Sequence, residues 1–145
     1  MRGMAVAPAP STGLRDAVTD VARGLAATGV LLSAVVHLEL FVEGFSGVSV
    51  IGVLFLLNFA GGVVLGALLL TWRHWLPALA AAGYGLVTVV AFWISVAWGL
   101  FGVHETAGGA MEVLAQVAEY MAIVFGLLAA VLLLRGRRGP APTFG

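Results

Sequence analysis

Four stretches of unbroken apolar sequence leave this chain little choice of solvent. They cover residues 21–42, 48–70, 75–101 and 111–134, each near the roughly 20 residues an α-helix needs to cross hydrocarbon. Barrel strands would alternate apolar and polar residues, and these runs do not. The joints at 43–47, 71–74 and 102–110 are short, so successive helices run antiparallel as neighbours. The expectation is an all-α membrane protein with four transmembrane helices in an up-down-up-down antiparallel bundle.

Composition agrees. Of 145 residues 61% are hydrophobic and 10% charged, against roughly 45–50% and about 25% in a soluble domain. There is no lysine and no basic stripe, which argues against a nucleic-acid partner. Without cysteine there is no disulfide framework, thiolate metal site or thiol chemistry. The small, proline-containing segment 1–12 is expected to be a disordered lead, 13–135 the transmembrane domain and 136–145 a disordered tail. The first apolar run exceeds the about 7–15 residues of a signal peptide's apolar region, and no small-residue cleavage pattern follows it.

Charge sets the orientation. In a four-span topology all seven basic residues (Arg2, Arg15, Arg23, Arg73, Arg135, Arg137 and Arg138) fall on one side, together with Asp16 and Asp20. Glu39, Glu43, Glu105 and Glu112 fall toward the other side, with Glu119 deeper. The positive-inside rule makes the arginine side cytoplasmic, so both termini are expected in the cytoplasm. Ser11, Thr12 and Gly13 offer helix caps ahead of the first span, and Arg15, Asp16, Asp20 and Arg23 form a charged collar.

Ionisable groups inside hydrocarbon are the best functional pointers in such a chain, because each costs about 2.5–3.5 kcal/mol at a helix centre and usually faces the bundle interior. Glu112, Gln116 and Glu119 lie at i, i+4 and i+7 on one stripe of the fourth helix, with Tyr120 beside them. On the second helix Asn58 precedes Gly61, Gly62 and Gly66, a small face suited to close helix packing. Tyr84, Thr88, Ser95 and Gly99 share a face of the third helix, as do Ser33, His37 and Gly44 on the first. At 1.5 Å per residue Glu119 and Asn58 lie roughly 15 Å from the outer surface and His37 about 8 Å. A candidate polar site in the outer half therefore comprises His37, Asn58, Ser95, Glu112, Gln116 and Glu119. Glu39 is two residues from His37, so only one of them can face the bundle axis. The expectation is His37 inward and Glu39 outward.

Each feature also has a plain structural explanation. Glu119 is either a proton- or cation-binding carboxylate or a protonated strut hydrogen-bonded to Asn58 or Tyr120. His37 with Glu112 and Glu119 offers ligand types that suit Zn²⁺, Mn²⁺ or Fe²⁺. Metal sites in bundles normally carry Glu-x-x-His pairs on facing helices, however, and this chain has none. A haem would want an axial histidine, and neither His104 in the outer loop nor His74 on the opposite side pairs with His37. No cofactor is called for by a motif, with haem or a divalent metal kept as alternatives. Trp72, Trp75 and Trp98 fall where interfacial aromatic belts belong. No phosphate-binding loop, nucleophile elbow or zinc-protease motif is present, which leans away from an enzyme.

Several blocks carry a likeness when taken together: His37-Leu38-Glu39-Leu40, then Ile51-Gly52-x-Leu54-Phe55-Leu56-Leu57-Asn58, and Ser95-x-x-x-Gly99-Leu100-Phe101-Gly102 followed by Glu105. From the first to the fourth span the chain resembles small four-span membrane proteins of high-GC actinobacteria, most of them uncharacterised. The resemblance implies a bacterial inner-membrane location and no particular activity.

Three readings of function follow. The leading one is an accessory or scaffold component of the cytoplasmic membrane, whose partners are the bilayer and either further copies of itself or other membrane subunits. The second is a small transporter or proton/cation-coupled module using the outer-half site. The third is a membrane redox or quinone-handling component.

Overall fold

In lipid every backbone N–H and C=O must find its partner within the protein, and a single apolar segment does this only as a helix. The computed structural model describes residues 11–45, 47 and 49–137, and its apolar runs are four helices: α1 (Ser11–Leu40), α2 (Ser49–Thr71), α3 (Trp75–Trp98) and α4 (Ala110–Arg137). All four are long and apolar enough to cross a membrane, and no strand occurs among the described residues. The expected lead and tail lie outside the described residues, apart from Ser11, Thr12, Gly136 and Arg137, which are helical.

The helix ends have local causes. A single π-helical turn, Phe41–Phe45, follows α1. His74 is extended (φ −133°) and its Nδ1 accepts from the Leu76 N–H at 3.2 Å, which caps α3. Pro77 sits in the first turn, where its missing N–H is no loss. Apolarity predicts α3 to continue to residue 101, but it stops at Trp98. Gly99, Phe101 and Gly102 take φ of +80°, +50° and +83°. Leu100 and Val103 exchange backbone hydrogen bonds of 2.8 and 3.0 Å around this left-handed corner. Hydrophobicity cannot register such a corner, but the two glycines permit it.

Small residues set the packing. α1 lies between α2 and α4, and α4 lies between α1 and α3; α2 and α3 touch only sparingly. A Cβ on Gly29 would stand 2.7 Å from the Ala118 carbonyl oxygen, and one on Gly126 would stand 2.7 Å from that of Ala78. At these crossings backbone lies against backbone. On the predicted small face of α2, Gly62 and Gly66 are buried against α1, where a Cβ would come within 2.7 Å of the Val30 carbonyl and 2.6 Å of the Leu31 side chain. Gly61 is looser, with the Tyr84 ring 3.9 Å from its notional Cβ.

The two ends of the bundle differ. At the arginine end Arg73 bonds Asp16 at 2.8 Å and Asp20 at 2.9 Å, which fastens the α2–α3 joint to α1. The buried Arg23 bonds Asp20 at 3.0 Å and caps the end of α2 through the Leu69 carbonyl at 2.5 Å. Above this belt Ala22, Ala26, Val30, Leu69, Ala78 and Ala122 belong to one closed apolar core. Toward the other end the helices part around a cavity of about 190 Å³.

Candidate functional site

Each helix contributes polar side chains to the upper limit of the closed core. Ser33 and His37, one turn apart on α1, are both buried, while Glu39 is exposed; His37 is the inward residue. From α4 comes Glu119, only 1% exposed, with Gln116 one turn before it. Asn58 of α2 and Tyr84 and Thr88 of α3 are half-buried at the gap between those helices.

Hydrogen bonding sorts these groups into two sets, which meet where the Tyr84 hydroxyl lies 3.4 Å from Ser33 Oγ. Tyr84 donates its hydroxyl to the Asn58 side-chain oxygen, the Asn58 amide donates to Thr88 Oγ1 at 3.1 Å, and Thr88 donates to the Tyr84 carbonyl at 2.9 Å. This closed circuit braces α2 to α3 where backbone contact is sparse. Ser95 is likewise committed, donating to the Val103 carbonyl at 2.9 Å and pinning the corner after α3. Asn58 and Ser95 line the cavity, and their hydrogen bonds are spent on structure.

His37, Gln116 and Glu119 are different. His37 Nδ1 lies 2.8 Å from the Ser33 carbonyl, which can only accept, so Nδ1 carries the hydrogen and Nε2 of the neutral ring is an acceptor. That Nε2 is 4.0 Å from Glu119 Oε1, beyond hydrogen-bond reach. Glu119 accepts from the Gln116 amide at 3.0 Å on Oε2 and from Ser33 Oγ at 3.5 Å on Oε1. With its nitrogen so engaged, Gln116 turns Oε1 away, and this buried oxygen has no partner among the described residues. The partners of Glu119 are thus Ser33 and Gln116, whereas the expected strut partner Tyr120 is exposed. The cavity floor brings together a ring nitrogen, an amide and a carboxyl group, and both the ring Nε2 and the amide Oε1 accept no hydrogen bond from the described residues.

The ionisable groups around the cavity are mostly carboxyl groups. Glu105, Glu112 and Glu119 all line it, and among the described residues His37 is its one basic group and no arginine lines it. Glu105 precedes α4 and belongs to the loop, yet the loop folds back to set it at the mouth. Burial and the facing Glu112 push its carboxyl above the usual carboxylate range. The described residues bring no three potential metal ligands together, so the predicted set of His37, Glu112 and Glu119 does not converge. His104 lies against Gly99 and His74 caps α3, each away from His37.

Sequence reasoning missed the circuit and the aromatic walls. Tyr84 and Thr88 stood on the correct face, but pairing across helices depends on rotation, which depth alone does not give. Phe55 and Phe92 were hidden among apolar residues. No family model, curated protein or solved structure matches the chain.

Proposed function

We propose that the protein is a small cation-binding module of a bacterial cytoplasmic membrane, with both termini cytoplasmic and the cavity in the outer half of the bilayer. One observation carries the reading: beside the Glu119 carboxyl group, His37 Nε2 and the buried Gln116 Oε1 accept no hydrogen bond from the described residues, so a group that completes them must donate. A buried carboxyl group is costly to ionise unless a cation pairs with it, and an unpaired buried acceptor costs about 1–3 kcal/mol. A pure scaffold, the leading reading of the sequence, would need the small-residue faces and nothing of this floor. The closed alanine core between floor and arginine belt supports binding from one side. The grouping of arginines at one end and the likeness to actinobacterial four-span proteins support the orientation and the membrane.

The test is thermal unfolding of the full chain in lipid nanodiscs from mildly acidic to mildly alkaline pH, with and without added sodium or magnesium. His37, Glu105, Glu112, Glu119 and Tyr84 are the titratable groups facing the site, and Glu119→Gln neutralises its deepest carboxyl group. The wild type should respond to pH or cation, and Glu119→Gln should lose most of that response while keeping its helical content. Superimposable wild-type and variant curves at every pH, with no response in either to an inorganic or an organic cation, would leave only the structural strut.

A further inference from the structure

The acceptor floor has walls of a different character. Leu54 and Phe55 of α2 face Val87, Ala91 and Phe92 of α3 across the gap where those helices scarcely touch. Phe55 meets the His37 ring edge-on with centroids 5.2 Å apart. Such a chamber suits an inorganic ion poorly. Ca²⁺ asks for about 6–8 oxygens and Mg²⁺ gives up its waters reluctantly, whereas the floor offers three groups beneath hydrocarbon walls. A cation with an apolar body suits both parts at once. Its N–H groups would satisfy the acceptors, its body would replace lipid against the walls, and aromatic faces attract positive charge.

Size and charge narrow the class further. A cavity of about 150 Å³ accommodates a benzene molecule, so about 190 Å³ suits one ring with a short arm. Three lining carboxyl groups, and no arginine among the described lining residues, oppose an anion and favour a positive head over a neutral one. Where α2 and α3 touch only sparingly, the lining residues Leu54 and Val87 are exposed on the bundle surface, which faces lipid. We infer that the cavity binds a one-ring amphiphilic amine in its ammonium form, with nitrogen on the His37–Gln116–Glu119 floor and the ring between Phe55 and Phe92. This rests on the cation-site reading and names the kind of cation.

Three probes with one ring and different heads test it: 2-phenylethylamine, 2-phenylethanol and phenylacetate. Each is titrated into the full chain in zwitterionic nanodiscs, followed by melting temperature and by tryptophan emission. Trp93 reports locally, since its ring lies 5.5 Å from that of the wall residue Phe92. The amine should bind saturably and about tenfold or more tighter than the alcohol, as expected for a charged rather than neutral hydrogen bond. Phenylacetate should not bind. Glu119→Gln should erase the advantage of amine over alcohol, and Gln116→Leu should reduce it if the former fails to fold. Ala91→Phe, which fills the chamber, should abolish saturable binding of every probe. A response to sodium or magnesium without response to the amine would overturn the organic-cation inference and leave the cation site standing. Equal binding of amine and alcohol, both lost in Ala91→Phe, would overturn both. No response to any probe or ion would overturn both as well.

Discussion

His37 Nε2 and Glu119 Oε1 face each other across 4.0 Å, from α1 to α4, with no hydrogen bond between them. Each is held in place by another group. The Ser33 carbonyl fixes the imidazole through Nδ1, and the Gln116 amide fixes the carboxylate through Oε2. Neither side chain can swing to close the gap without loosening the bond that holds it.

Gln116 exposes this arrangement to a stability test. Gln116→Leu removes the 3.0 Å bond and leaves the buried Glu119 Oε2 without its donor, at about 1–3 kcal/mol, and also removes a buried oxygen whose own missing partner costs about 1–3 kcal/mol. The terms oppose, so the variant should unfold within about 1 kcal/mol of wild type in reversible detergent titrations. A much larger loss would mean that Oε1 has a partner.

Close packing predicts a contrast among glycines. A Cβ at Gly126 meets backbone at 2.7 Å, whereas one at Gly83 meets nothing within 4 Å. Gly126→Ala should therefore lower the melting temperature while Gly83→Ala leaves it equal or higher, since alanine is the better helix former by about 1 kcal/mol. On α2, Gly62→Leu should be worse than Val63→Leu, because Gly62 is buried against α1 and Val63 is exposed. Equal melting temperatures within either pair would refute the crossing geometry.

The arginine belt predicts a hierarchy. Arg73 and its two aspartates are largely exposed, so Arg73→Met should cost under about 1 kcal/mol despite two short ion pairs. Arg23 is buried and caps the α2 carbonyl of Leu69, so Arg23→Met should cost about 2 kcal/mol. Chemical denaturation of both variants decides it, and the reverse order would show that the exposed pairs dominate.

How legible these features were depended on whether they repeat along one helix. The spans and the stripe of Glu112, Gln116 and Glu119 could be read because helical periodicity fixes a face. The crossings left a signal too: Ala118, Ala122, Gly126 and Ala130 recur every four residues and mark the small face of α4. The division between Asn58, locked to Tyr84, and Gln116, left with a lone oxygen, could not be read. It depends on which rotamer finds which partner across a helix gap. The end of α3 was missed because Leu100 and Phe101 are apolar whether helical or turned through positive φ.

At the cavity mouth Glu105 predicts a direction with pH. Its carboxyl is raised by burial and by the facing Glu112, so the folded state holds this proton more tightly than the unfolded chain does. A raised acid contributes stability when protonated and loses it as pH climbs through the folded value. The wild type should therefore lose stability relative to Glu105→Gln as pH rises past the ordinary carboxylate range. A difference that is flat or of opposite sign in melting temperature would show that the mouth does not hold Glu105 as described.

Orientation decides which leaflet the cavity addresses. Arg15, Arg73 and the end of α4 meet at one end of the bundle: Arg15 bonds the Leu132 carbonyl at 3.1 Å, and Arg73 bonds two aspartates of α1. The opposite end carries Glu105 in the loop before α4. Basic residues resist translocation, so the arginine end should stay cytoplasmic. The chain has no cysteine, which makes single-cysteine labelling clean. Thr106→Cys should react with a membrane-impermeant maleimide in intact bacterial cells. Gly136→Cys should react only after the membrane is opened. The reverse pattern would invert the bundle, turn the cavity toward the inner leaflet and require its ligand to arrive from the cytoplasmic side.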